Sequence, residues 1–118
     1  MEIYEQETKL YKSLMHPARL AILDLLREGE ACVCHMEATF KFRQAYISQQ
    51  LMVLRDAGLV EDRRDGLNIY YRVIRPEIFG VLDAMRRVTG VQPALRAEAN
   101  ACTCPNCAEH NQPNLIRA

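Results

Sequence analysis

The five cysteines of the chain are the residues whose type and spacing offer the most chemistry. Cys32 and Cys34 are separated by one residue, and Cys102, Cys104 and Cys107 lie close together near the C-terminus. Thiolates favour soft ions such as As(III), Cd(II), Pb(II) and Hg(II). Thiols also form disulfides, although an odd number cannot all pair within one chain. The sequence therefore indicates soft-ion binding or thiol redox chemistry.

The surroundings of each group decide how its thiols are interpreted. A single free cysteine is commonly a small buried apolar residue. Cys32 and Cys34, however, stand at the predicted start of a helix, where the helix dipole and unpaired N–H groups favour the thiolate. The other three thiols lie among Asn, Pro and Thr, with no apolar pattern to bury them. Between Gly90 and Cys102 the chain can stretch about 40 Å at ~3.3 Å per residue. We therefore predict a metal site that combines Cys32 and Cys34 with one or more of the tail thiols.

Other arrangements of the thiols remain open. A site made from the tail alone would use its three cysteines, with His110 as a further donor. Cys104 and Cys107 have the CxxC spacing of redox-active pairs, which gives a thiol-redox switch as the alternative. His35, beside the first pair, is a weaker ligand candidate, and His16 is interpreted as a helix cap. A small oxidoreductase is disfavoured because no βαβ pattern surrounds the CxxC.

Length and composition indicate one small soluble domain. The chain has 118 residues, of which 49% are hydrophobic and 25% charged, and its net charge is zero. A neutral balance gives no sign of nucleic-acid binding, although a local basic patch can act within it. No apolar run is long enough for a bilayer and no signal peptide precedes the first charges, so we expect a cytoplasmic protein without membrane contact. Disulfides are uncommon as structural devices in the cytoplasm.

No Gly-rich phosphate loop or Ser/His/Asp set is present, so we expect neither an enzyme nor an organic cofactor.

Hydrophobic periodicity predicts a mainly α fold with a small β-hairpin. Ile47, Leu51 and Leu54 recur at helical spacing, and Asp65-Gly66 is typical of the type I′ turn of a hairpin. A helix-turn-helix followed by a hairpin is a winged helix, which we assign to residues 1–92, with a flexible Cys-rich tail over 93–118. The predicted elements are helices over 3–14, from Pro17 to Gly29, over 36–40, over 44–57 and from Pro76 to Gly90, with strands over 59–63 and 67–73.

The helix over 44–57 has the two faces that a DNA-recognition helix needs. Its apolar face packs inward, and polar side chains on the other face can bond to base edges in the major groove. The alternative is a polar face that only meets water. The candidate DNA-binding residues are Gln44, Ala45, Tyr46, Ser48 and Gln49 along the helix, Arg43 and Arg55 at its ends, and Arg63 and Arg64 beside the hairpin tip.

These motifs together resemble the ArsR/SmtB family of metal-sensing transcriptional repressors over about residues 10–90. The resemblance implies a homodimer of winged helices, joined through the first and last helices. It also implies that the effector-free dimer binds palindromic operator DNA and that the effector releases it. The residues that carry it are His16-Pro17-Ala18-Arg19-Leu20, Cys32-Val33-Cys34, Ile47-Ser48-Gln49-Gln50-Leu51, Leu54-Arg55 with Ala57-Gly58-Leu59-Val60, Arg64-Asp65-Gly66 and Tyr70-Tyr71-Arg72.

The sequence departs from that family pattern at two places. Arsenic sensors often carry a third cysteine where this chain has Glu37, so three thiolates cannot come from this helix alone. Zinc sensors use Asp and His on the last helix, and here Asp83 has no His partner in that helix. A zinc site of that type is therefore not expected.

Overall fold

The computed structural model describes residues 1–92, and over these residues the predicted winged helix is confirmed. The predicted tail over 93–118, with its three thiols, lies outside the described residues. A 3₁₀ turn over Leu26–Glu28 prolongs the second helix. The helices are α1 (Glu2–Ser13), α2 (Pro17–Leu25), α3 (Val33–Phe40), α4 (Gln44–Asp56) and α5 (Glu77–Thr89), and the strands are β1 (Ala31–Cys32), β2 (Val60–Asp65) and β3 (Asn68–Val73).

The core lies where α2, α3 and α4 meet the sheet. The predicted inner face of α4 is confirmed, because Ile47, Leu51 and Leu54 are completely buried. They pack in one cluster with Ile22 of α2 and Met36 of α3. Full burial of one such side chain contributes about 1.5–3 kcal/mol to stability. The core therefore holds the polar outer face of α4 in a fixed orientation.

Local capping fixes where α2 and α3 begin and where α3 ends. His16 caps α2, as predicted: its Nδ1 accepts a hydrogen bond from the Ala18 N–H at 3.2 Å. Cys32 caps α3 in the same way through its sulfur. Lys41 ends α3 in the left-handed conformation at φ 61°, and its N–H donates to the Glu37 carbonyl at 2.8 Å. The turn before α4 is thereby closed.

The sheet is antiparallel with the strand order β1-β3-β2. Strand β1 was not predicted, because two residues are too few to show a strand periodicity. It pairs Ala31 with Tyr71 and Cys32 with Tyr70 of the wing strand β3. The segment that carries the first thiol is thus part of the wing sheet.

The hairpin between β2 and β3 is confirmed, but the predicted turn type is wrong. Asp65 pairs with Asn68, so the two central residues are Gly66 and Leu67 rather than Asp65 and Gly66. Gly66 has φ 64°, whereas Leu67 is not among the residues with positive φ. This is the φ pattern of a type II′ turn, which needs Gly only at its first central position. Asp65 remains in the strand pairing instead of entering the turn.

The first and last helices leave apolar side chains in water. Ser13 is the only side chain of α1 that is buried. Helix α5 buries Ile78 and Leu82 on the core. None of the helices over residues 1–92 has the length and apolar character needed to cross a membrane. The exposed apolar side chains of the two helices include Ile3, Tyr4, Leu10, Tyr11, Val81, Met85 and Val88.

Candidate DNA interface and thiol site

The outer face of α4 presents polar groups to solvent at its N-terminal half. Gln44, Ala45, Ser48 and Gln49 are all exposed. Within residues 1–92, the side chains of Gln44, Ser48 and Gln49 accept or donate no hydrogen bond. Their amide and hydroxyl groups are therefore available to base edges, for which Gln and Ser are suited.

Tyr46 differs from the other polar candidates on α4. It is half-buried, and its Oη lies 3.3 Å from Nε2 of His16. Because Nδ1 of His16 accepts the Ala18 N–H, the neutral ring carries its proton on Nε2, which donates to Tyr46. The Tyr46 ring also meets Phe42 edge to face, at 5.1 Å between ring centroids. The hydrogen bond with His16 thus holds Tyr46 against the start of α2.

Gln50 was not among the candidate residues of the sequence analysis, and the structure gives it a structural role. It is buried, and its Oε1 accepts a hydrogen bond from Arg19 Nη1 at 2.7 Å. Arg19 also donates to the carbonyls of Ser13 at 2.6 Å and Lys12 at 3.3 Å. One guanidinium therefore connects the end of α1 to the middle of α4. The spacing of three from the buried Ile47 was the available signal.

The predicted arginines at the ends of α4 and beside the turn are not equivalent. Arg43, at the start of α4, is exposed and forms no ion pair with any described residue. Arg64 is likewise exposed and unpaired within the described chain. Arg55 lies 3.5 Å from Asp62, from Nη1 to Oδ1. Of the four predicted arginines, Arg43 and Arg64 are therefore the most available to phosphate oxygens.

Arg63 is held on the outer face of the sheet by Glu30. Its Nε donates to Oε2 at 3.0 Å and its Nη2 to Oε1 at 2.7 Å. The hydrogen bond from Arg63 holds the pKa of Glu30 below its ordinary value. The guanidinium also covers the ring of Tyr70, with Cζ 4.6 Å from the centroid. Since successive residues of a strand point to opposite faces, Arg63 and Arg64 cannot serve one surface.

Cys32 and Cys34 come together at the junction of β1 and α3. They form a disulfide, with their Cα atoms 5.3 Å apart. Cys32 is 0% exposed and packs with Tyr70, whereas Cys34 is half-buried. The N–H of His35 donates to the Cys32 sulfur at 3.1 Å. Because metals bind the thiolate, this pair can act as a ligand only after reduction.

The described residues do not complete a metal site on their own. Over residues 1–92, no group of three or more His, Cys, Asp or Glu side chains is placed to hold an ion. Asp83 of α5, the position of interest for zinc, receives two hydrogen bonds from Arg27 at 2.6 and 3.3 Å. The bond from Arg27 lowers the pKa of Asp83. Any further thiolate of the same chain must come from Cys102, Cys104 or Cys107, which lie outside the described residues.

The chain is similar in sequence to known transcriptional regulators. The model of a family described as bacterial regulatory protein, arsR family, matches residues 16–62, which include both Cys32 and Cys34 and all of α4. A biofilm growth-associated repressor of Agrobacterium fabrum is 42% identical over 76 residues, which are 64% of this chain and 65% of that protein. An HTH-type transcriptional regulator of Mycobacterium tuberculosis is 38% identical over 87 residues, 73% of this chain and 76% of its own. An arsenic resistance transcriptional regulator of Pseudomonas putida is 44% identical over 68 residues, 58% of this chain and 52% of its own.

Solved structures agree with this match. The transcriptional repressor BigR from Xylella fastidiosa superposes with a TM-score of 0.69 at 34% identity, covering 77% of this chain and 93% of that one. A homodimeric winged helix-turn-helix DNA-binding domain from Mycobacterium bovis superposes with a TM-score of 0.65 at 32% identity. That alignment covers 75% of this chain and 82% of the other.

Proposed function

Since this chain belongs to the ArsR family of bacterial transcriptional regulators, we propose that it is a repressor whose hold on operator DNA is controlled at Cys32 and Cys34. In this proposal it acts in the cytoplasm as a homodimer. The observation that carries the proposal is the position of Cys32. Its sulfur caps α3, the first helix of the helix-turn-helix formed by α3 and α4, and its backbone pairs with Tyr70 of the wing.

DNA reading is assigned to the exposed face of α4. Gln44, Ser48 and Gln49 face the major groove, because they are exposed and their polar groups are not engaged elsewhere in the described chain. The exposed Ala45 on the same face offers an apolar contact to a thymine methyl group. Tyr46 contributes mainly by holding the start of α4 against α2 through His16.

Phosphate binding is assigned first to Arg43 and Arg64. Both are exposed, and neither forms an ion pair within residues 1–92. Arg55 and Arg63 contact DNA only if they leave Asp62 and Glu30, so they contribute less.

Dimerisation is assigned to α1 and α5. Both helices expose apolar side chains that a folded monomer has no reason to leave in water. A chain of this size also gains stability by burying surface in a dimer. Two recognition helices would then read two half-sites one helical turn apart.

A soft ion is the first candidate effector. Two thiolates of one short segment suit As(III), Cd(II), Pb(II) or Hg(II), and one or more tail thiolates would complete the set. Such an ion would join the start of α3 and the wing to the far end of the chain. A shift of α3 would move α4 relative to the DNA grooves, and a shift of the wing strands would move the wing. For a factor of 5–150 in DNA affinity, the coupling free energy is about 1–3 kcal/mol.

Thiol oxidation is the second candidate, and the Cys32–Cys34 disulfide favours it. The sequence had suggested Cys104 and Cys107 as the redox pair, which lie outside the described residues. Oxidation of Cys32 and Cys34 alters the same cap and the same strand that an ion would alter. The two candidates therefore share a site and differ in the reagent.

A metal titration separates the two candidates. The reduced wild type and five single Cys→Ser variants are titrated with Cd(II), and thiolate-to-metal absorption in the ultraviolet is followed. The soft-ion proposal expects absorption that falls in both Cys32→Ser and Cys34→Ser. The redox proposal expects that a chelated, metal-free sample loses DNA binding on oxidation and regains it on reduction. The DNA is a duplex selected by the protein from a random library.

A further inference from the structure

We propose that the two sulfurs have unequal roles in thiol–disulfide exchange: Cys34 exchanges with a small disulfide, and Cys32 closes the intramolecular bond. Cys34 is thereby assigned as a modification site for low-molecular-weight thiols. The inference deepens the redox form of the proposed function and rests on it for its biological consequence. Its chemistry is measured without DNA.

The two cysteines differ in how exposed they are to a small molecule in solution. Exchange requires the attacking thiolate to approach the S–S bond of the small molecule in line. Cys32 is 0% exposed, lies in β1 and packs against Tyr70. Cys34 lies in the first turn of α3 and is only half-buried, so less of the structure has to open before a small molecule reaches its sulfur. Reaction at Cys32 first would require local opening of the sheet.

The second step depends on the hydrogen bond that Cys32 accepts. The N–H of His35 donates to the Cys32 sulfur at 3.1 Å, at the N-terminus of α3. This bond and the helix dipole stabilise negative charge on that sulfur. Cys32 is therefore the sulfur that departs as a thiolate when a small thiol attacks Cys34. In the oxidising direction the same stabilised thiolate closes the bond.

The reaction balances in two exchanges. The Cys34 thiolate attacks one sulfur of a small disulfide, the S–S bond of that molecule breaks, and one small thiolate leaves. The Cys32 thiolate then attacks the Cys34 sulfur, forms the Cys32–Cys34 bond and expels the second small thiolate. The protein loses two electrons and two protons, and the small disulfide becomes two thiols.

The test uses full-length protein in which Cys102, Cys104 and Cys107 are all Ser, with glutathione disulfide as the probe. Addition of Cys32→Ser leaves Cys34 alone, and we expect a trapped mixed disulfide by intact mass. Ser is itself a favoured helix cap, so this variant keeps the start of α3. Addition of Cys34→Ser leaves Cys32 alone, and we expect it to react at least about tenfold more slowly because the site must first open.

The control is the same pair of variants in urea, where both thiols should react at similar rates. With both thiols present, the mixed disulfide should not accumulate and the intramolecular bond should form instead. Native Cys32 that reacts as fast as native Cys34 would overturn the assigned order. If the order holds but oxidised and reduced protein bind the selected duplex equally, the exchange roles stand and the redox form of the proposed function fails.

Discussion

Cys32 lies directly opposite Tyr70 in the pairing of β1 with β3, and Tyr70 is only 2% exposed. The same two residues pack with Cys34 in a small cluster separate from the main core. Tyr70 in turn lies under the guanidinium of Arg63. The thiol pair is therefore in contact with the wing itself. A change at the sulfurs reaches the wing without passing through α4.

Replacing Tyr70 with Leu should weaken the effect of the thiols on DNA binding. The substitution removes the ring that connects Cys32 to Arg63, so the ratio of DNA affinities between reduced and oxidised protein should shrink. Fluorescence anisotropy with the selected duplex measures this ratio. Tyr71→Leu is the matched control, because Tyr71 pairs with Ala31 and packs in the main core. An unchanged ratio in Tyr70→Leu would argue against the wing as the route.

The arginine variants should differ in how strongly their DNA affinity depends on salt concentration. Arg43→Ala and Arg64→Ala should each flatten the plot of log affinity against log salt, by about 0.9 for each phosphate that the variant no longer neutralises. Arg63→Ala should change the slope less, because its guanidinium is bonded to Glu30. Arg87→Ala on α5 is the control. Equal slopes for Arg64→Ala and Arg87→Ala would remove Arg64 from the interface.

Arg19 and Gln50 should be coupled energetically. Gln50→Ala leaves a part-buried guanidinium with one partner fewer, and removing a buried hydrogen bond in this way costs about 1–3 kcal/mol. A double-mutant cycle on urea unfolding should give an interaction energy of about 0.5–3 kcal/mol, the range for neighbouring residues that share a hydrogen bond. Arg19 with the exposed Gln49 is the control pair, with near-additive effects expected. Additivity for Arg19 and Gln50 would mean that their bond does not join α1 to α4 in solution.

Protonation of Glu30 should lower the stability of the fold in acid. Its pKa is lowered from the ordinary 4.5, chiefly by the hydrogen bond from Arg63. A depressed carboxylate pKa stabilises the folded state above the unfolded value and loses that contribution as the pH falls through the folded value. The difference in Tm between wild type and Glu30→Gln should therefore be constant near neutral pH and shrink only below 4.5. A difference that shrinks already near neutral pH would point to another group.

The sequence predicted the features that local periodicity determines. The buried face of α4, the hairpin and the His16 cap follow from spacing or from one residue at a helix start, and the structure confirms them. Strand β1 could not be predicted because it consists of two residues whose partners lie in a distant strand. Arg63 and Arg64 look alike in the sequence, and only the alternation of faces separates them. The bond between Arg19 and Gln50 depends on the packing of α2 against α4, which no local pattern contains.

The central claim is that DNA binding is controlled at Cys32 and Cys34. Its most direct test is the affinity of reduced full-length protein for the selected duplex, with and without arsenite, in the wild type and in the Cys32→Ser, Cys34→Ser double variant. Each protein is compared with itself, so a change in basal affinity does not enter. With a soft ion as the effector, the account predicts a loss of affinity of about 5–150-fold on adding arsenite to the wild type and no loss in the double variant. Release of DNA from the double variant by arsenite would contradict it.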